Sequence, residues 1–102
     1  MSADPLPRIL ARCDTLEAEL KSLYGQTHDP RHPDRPVPDA IVALARRMLI
    51  EADRLVGHGL GAIRVPNLSA APTAAEFAVV LHLAHLAVVT LRQGCEDEMD
   101  EI

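Results

Sequence analysis

Aromatic residues are almost missing from this chain. Tyr24 and Phe77 are the only rings, tryptophan is absent, and aromatics make up 2% of the 102 residues. A core without large rings must be assembled from many small aliphatic contacts, and a chain of this length buries roughly 65% of its unfolded surface. The core is therefore thin, and the size allows one domain rather than two. The shortage also argues against β structure. Strands favour β-branched and aromatic residues, whereas fifteen alanines and fourteen leucines fill this sequence with strong helix formers.

Reactive chemistry is equally scarce. There are three serines, Ser2, Ser22 and Ser69, none in a Gly-x-Ser-x-Gly setting, and no glycine-rich phosphate loop follows a strand. The two cysteines do not resemble nucleophiles. Cys13 falls on an apolar helical seam, where a thiol behaves as a small hydrophobe, and Cys95 adjoins Glu96 and Asp97, whose charge disfavours the thiolate. The sequence is expected to be non-enzymatic and to use no cofactor.

A surplus of positive charge is missing too. The formal net charge is -5, and Glu96, Asp97, Glu98, Asp100 and Glu101 place five acids in the last seven residues. Residues 1–95 carry ten acids and ten bases, so no basic surface is available to phosphates and no nucleic-acid partner is expected. No basic stretch leads into an apolar one at the N-terminus, which argues against a secretory signal. The longest apolar segment, Phe77 to Leu91, has 15 residues and includes His82 and His85; a bilayer needs about 20, so a buried helix is expected and a membrane partner is not. Two cysteines without an export signal read as reduced thiols of a cytoplasmic protein. Nine of ten basic residues are arginine, which with the alanine richness points to a GC-rich bacterial genome.

What is present is an all-α pattern, a three-helix compact domain spanning residues 1–95 with a disordered acidic tail over 96–102. The first helix is predicted over about 6–24. Leu6, Ile9, Cys13, Leu16, Leu20 and Leu23 are spaced 3, 4, 3, 4, 3, an apolar seam too short for a free-standing coiled coil, and Gly25 is placed to end it. The connector GQTHDPRHPDRPVP carries four prolines and should be extended. A second helix is predicted over about 39–56, with Asp39 at its start. Its main apolar face is Ile41, Leu44 or Ala45, Met48, Ala52 and Leu55, and a second stripe is Val42, Leu49 and Val56. Gly57, Gly59 and Gly61 should stop it, and the segment around Ile63-Arg64-Val65-Pro66 reads as a loop. The third helix is predicted over about 74–93. Thr73-Ala74-Ala75-Glu76 forms a capping box before it, and Gly94 is placed to terminate it.

The third helix is apolar on two sides. At about 100° per residue, Phe77, Leu81, Ala84, Val88 and Leu91 form one stripe, and Val79, Leu83 and Leu86 lie roughly opposite. A surface helix needs one such stripe. The surplus implies burial against another chain, most simply in a two-fold homodimer with paired third helices, and the expected interface residues are Val79, Leu83, Leu86, Val42 and Leu49. A small protein acting through protein–protein contact, as regulator, adaptor or assembly factor, is the leading expectation. The alternative is a metal- or small-ligand-binding protein using His82 and His85, three apart on one helix, with a further ligand from His28, His32, Asp34 or His58. Arg46, Arg47 and Arg54 cluster on the second helix and read as a solvated face balanced by Glu51 and Asp53.

Overall fold

In a computed structural model, residues 6–57 and 65–100 are described, with side chains for 7–57 and 65–97. The seam of apolar residues at spacings of three and four folds as α1, Leu6–Thr27. The second segment folds as α2, Asp39–Gly57, and the third as α3, Ala74–Asp100. No strand occurs among the described residues; a single bridge joins Pro36 to Thr73. The architecture is all-α, three helices packed around one core.

The seam of α1 is the inner face. Cys13, Leu16, Leu20 and Leu23 are buried, and they meet Phe77, Leu81, Ala84, Val88 and Leu91 of α3. Contacts of Tyr24 with the Leu81–His82 end and of Asp14 with Arg92 make α1 and α3 antiparallel. The starts of α2 and α3 lie together, because Val37 donates to the Pro72 carbonyl at 3.3 Å and Ala74 to the Arg35 carbonyl at 2.8 Å. At the other end of α2, Glu51 forms an ion pair with Arg12 near the start of α1. Thus α2 runs parallel to α3, and the chain must travel back along α2 before α3 begins. Val65 and Leu68 do so half-buried against the core, and Arg46 pins the path by donating to the Ser69 carbonyl at 2.8 Å.

Of the helix stops expected at glycine, the one at Gly57 holds, α2 ending there, and the other two are overridden. Gly25 lies inside α1, which continues to Thr27; the Thr27 hydroxyl donates to the Leu23 carbonyl at 2.8 Å and the His28 amide to that of Tyr24. Asp29-Pro30 then ends it, since proline has no amide to continue the ladder. Gly94 likewise lies inside α3, which runs on through Glu96 and Asp97 to Asp100 rather than giving way to a tail at residue 96. The reason is tertiary. Cys95 is buried in the same core cluster as Ile9 and Cys13, and the Arg92–Asp14 pair aligns the segment after Arg92 with the first turns of α1. Exposed acids at a helix C-terminus each oppose the dipole by about 0.3–1 kcal/mol, which such burial offsets. Residues 101 and 102 and the glycines at 59 and 61 lie outside the described residues, as do His58, Ile63 and Arg64.

The proline-rich connector is an anchor rather than a spacer. A helix begins with amides that have no partner within it. Here the Ala74 and Ala75 amides reach the carbonyls of Arg35 and Pro33, at 2.8 and 3.0 Å, and the Glu76 amide reaches the Thr73 hydroxyl at 3.3 Å. The capping box is therefore half as expected. The carboxylate of Glu76 accepts from the Thr73 and Ser69 hydroxyls, not from the Thr73 amide.

Because Gly94 is in a helix interior and a Cβ built there meets nothing within 4 Å, Gly94→Ala should stabilise the fold by about 0.5–1 kcal/mol. A urea melt followed by circular dichroism checks this; a loss of stability would mean that the helix does not pass through residue 94.

Candidate functional site

The structure divides the five expected interface residues. Val42 and Leu49 are 5% and 6% exposed, so the second stripe of α2 is core, and Val56 with it. For Leu49 the cause is the returning connector. Val65, Pro66 and Leu68 line a depression together with Leu49 and Ile50, covering a position that the helices alone leave open. Val79, Leu83 and Leu86 stay on the outside of α3, at 57%, 43% and 43% exposure. Leu44 and Ile50 join them as large exposed apolar side chains; of the two residues that could fill that position of the inner face, Ala45 is buried and Leu44 is not.

These residues form a surface rather than scattered points. Val79 and Val80 line a shallow depression with Asn67 and Leu68, and the same Asn67 and Leu68 line the one that holds Ile50. The exposed face therefore extends from Ile50 across Leu68 to Val79 and on along α3 through Leu83 and Leu86. Isolated exposed leucines are ordinary on a protein surface, whereas a contiguous apolar strip marks a contact site.

Charge on α3 is arranged away from this strip. Arg92 turns toward α1, placing Nη1 2.9 Å from Glu17 Oε2 and 3.4 Å from Asp14 Oδ1. His85 turns the same way, with Nε2 3.8 Å from Glu17 Oε1. Nε2 of His85 and Nε of Arg92 are shielded from solvent and make no hydrogen bond with protein groups. The cluster fastens the outer edge of the α1–α3 seam and leaves the opposite side of α3 uncharged.

His82 and His85 both border a groove of about 260 Å³ between α1 and α3, with Glu17, Leu20, Lys21, Tyr24 and Leu81. No group of three or more histidine, cysteine, aspartate or glutamate side chains suited to a metal occurs among the described residues. The second histidine set, in the proline-rich connector, is turned inward on itself. The His32 amide donates to Asp29 Oδ1 at 3.2 Å and Arg35 lies 3.5 Å from the same carboxylate, while His28 packs on Tyr24 with ring centroids 4.8 Å apart. Slight burial pushes the Asp29 carboxyl up, but the His32 hydrogen bonds and the Arg35 charge outweigh it and hold it below its ordinary 3.8.

The helix Ala74–Asp97 meets the length and composition of a membrane span, with a mean hydropathy of 1.8. The 15-residue run read from the sequence is shorter because it ends where polar residues begin; the helix itself does not. The buried part of this apolar content packs against α1 and α2, leaving the strip on the outside.

Comparison with known protein families, characterised proteins and solved structures finds no match to this chain.

Cys13 is fully buried and free, and burial, with the nearby Cys95 and Asp14, pushes its thiol from 9.0 up to about 11. The thiolate is the reactive form. Cys13 should resist a water-soluble thiol reagent at pH 8 until denaturant is added; rapid native labelling, read by mass spectrometry, would contradict this packing. The raised value also makes the folded state hold a proton that the unfolded chain gives up. Stability is therefore unaffected by this group below pH 9 and falls as pH rises from 9 through about 11.

Proposed function

We propose that this chain is a small non-enzymatic interaction protein of a reducing, cytoplasmic compartment, homodimeric and acting by protein–protein contact as a regulator, adaptor or assembly factor. The observation that carries the reading is the outer strip of α3, where Val79, Leu83 and Leu86 are large, apolar and about half exposed while the stripe of Phe77, Leu81, Ala84, Val88 and Leu91 is sealed within the chain. Two buried cysteines that are not joined in a disulfide agree with a reducing compartment.

Magnitudes bound the assembly. Full burial of a Val or Leu side chain is worth about 1.5–3 kcal/mol, so finishing three half-covered ones returns roughly 1 kcal/mol each, or about 6 kcal/mol for two copies. Association costs about 4–15 kcal/mol, so the strip alone does not hold a tight dimer. The neighbouring Leu68 and Ile50 must contribute, and the contact belongs to the weak, concentration-dependent class that suits a regulator exchanging partners.

Leu83→Glu and Leu86→Glu test the reading. Both positions are 43% exposed, so each variant should keep the parent's helical signal and melt within about 1 kcal/mol of it as a lone subunit. In sedimentation at high-micromolar concentration the parent should be dimeric and both variants monomeric. Variants that sediment as the parent does would remove the strip from any assembly.

A further inference from the structure

The outer face of α3 specifies not only that a partner is needed but how it lies. Between Glu76 and Glu96 this face presents Val79, His82, Leu83, Leu86, Thr90 and Gln93, with no carboxylate, lysine or arginine among them. Arg92, the single formal charge in that interval, is turned away into its pairs with Glu17 and Asp14. A surface with no charge to match offers little that would recognise a charged partner, yet it can meet a copy of itself without bringing like charges together.

The ends of the helix are different. Glu96, Asp97, Glu98 and Asp100 crowd the last turns of α3, whereas its first turn has Glu76 alone and lies against a connector in which Arg31 and Arg35 are matched in number by Asp29 and Asp34. Two copies packed in parallel would stack their acidic ends on each other. Packed antiparallel, the acidic ends lie about 40 Å apart along a 27-residue helix, several screening lengths of about 8 Å at physiological salt.

We propose, on the reading that α3 carries the self-association, that the occupant of the strip is the α3 of a second copy running antiparallel, with the two-fold axis passing at Leu83. Val79, Leu83 and Leu86 are spaced four and three, so their centre falls at Leu83. An axis there places Leu83 against Leu83 and sets Val79 of one copy within one residue, about 1.5 Å of rise, of Leu86 of the other. The depression lined by Leu68 and Val80 then receives the far half of the neighbouring strip.

Cysteine cross-linking separates this arrangement from its rivals. The native Cys13 and Cys95 are buried, and new positions would be introduced singly as Val79→Cys, Leu83→Cys and Leu86→Cys, with circular dichroism confirming that each remains helical. In the antiparallel pair Leu83→Cys joins to itself. Val79→Cys does not, because its two copies lie roughly 12 Å apart along the axis and a disulfide needs Cα atoms within about 7 Å. A mixture of Val79→Cys and Leu86→Cys should give the mixed cross-link. If all three variants instead join readily to themselves, the helices are parallel; the orientation is overturned and self-association through α3 stands. A protein that sediments as a monomer at high-micromolar concentration and gives none of these links overturns both. A dimer that forms none of them assembles through another face and also overturns both.

Discussion

The seam between α1 and α3 is the contact on which the other features depend. It joins Leu16 and Leu20 to Phe77, Leu81 and Val88, nearly all fully buried, and it contains the only phenylalanine in the chain. Its antiparallel register determines the rest. The pairing of Arg92 with Asp14 brings the end of α3 alongside the start of α1, so α3 must stay helical past Gly94 to cover Ile9 and Cys13. With α2 parallel to α3, the chain has to return the full length of α2 before α3 begins. That return path covers Leu49 of the second stripe of α2.

The two connectors therefore carry structural work that their composition disguises. A proline-rich stretch lacks amides at four positions but keeps every carbonyl. Those free carbonyls are what the start of α3 requires, and Pro33 and Arg35 supply them to Ala75 and Ala74. The second connector covers Leu49 with Val65 and Leu68. A thin core with two rings has little area to spare, and recruiting loop residues extends it without a fourth helix.

This explains what could be read from the residues and what could not. The three helices were legible, because Ile9, Cys13, Leu16, Leu20 and Leu23 repeat at helical spacing and Thr73 marks a start. The C-terminal ends of α1 and α3 were not. Gly25 and Gly94 look like stops locally, and only packing between distant segments keeps them helical. The burial of Leu49 was illegible for the same reason, since it depends on a connector that has no periodicity of its own. The Glu17–Arg92–His85 cluster depends on the register between two helices, its pairs joining residues far apart in sequence (17 with 85 and 92), which no local pattern encodes. The outer strip of α3 was legible because it needs only the angle between residues on one helix, and that angle is fixed by the backbone.

The folding of a single chain does not account for the strip, and the proposed self-association rests on that. Val79 is 57% exposed, so it contributes little to the core, and valine is a poorer helix former than lysine, glutamine or glutamate. A polar residue at Val79, Leu83 or Leu86 would suit a lone subunit at least as well, and would lower the risk of aggregation. Elsewhere on α3 the chain follows that rule, with Gln93, Glu96 and Asp97 on the exposed side and Arg92 and His85 placed where Glu17 meets them. Folding of one copy therefore does not require apolar residues at these three positions. Burial against a second surface does.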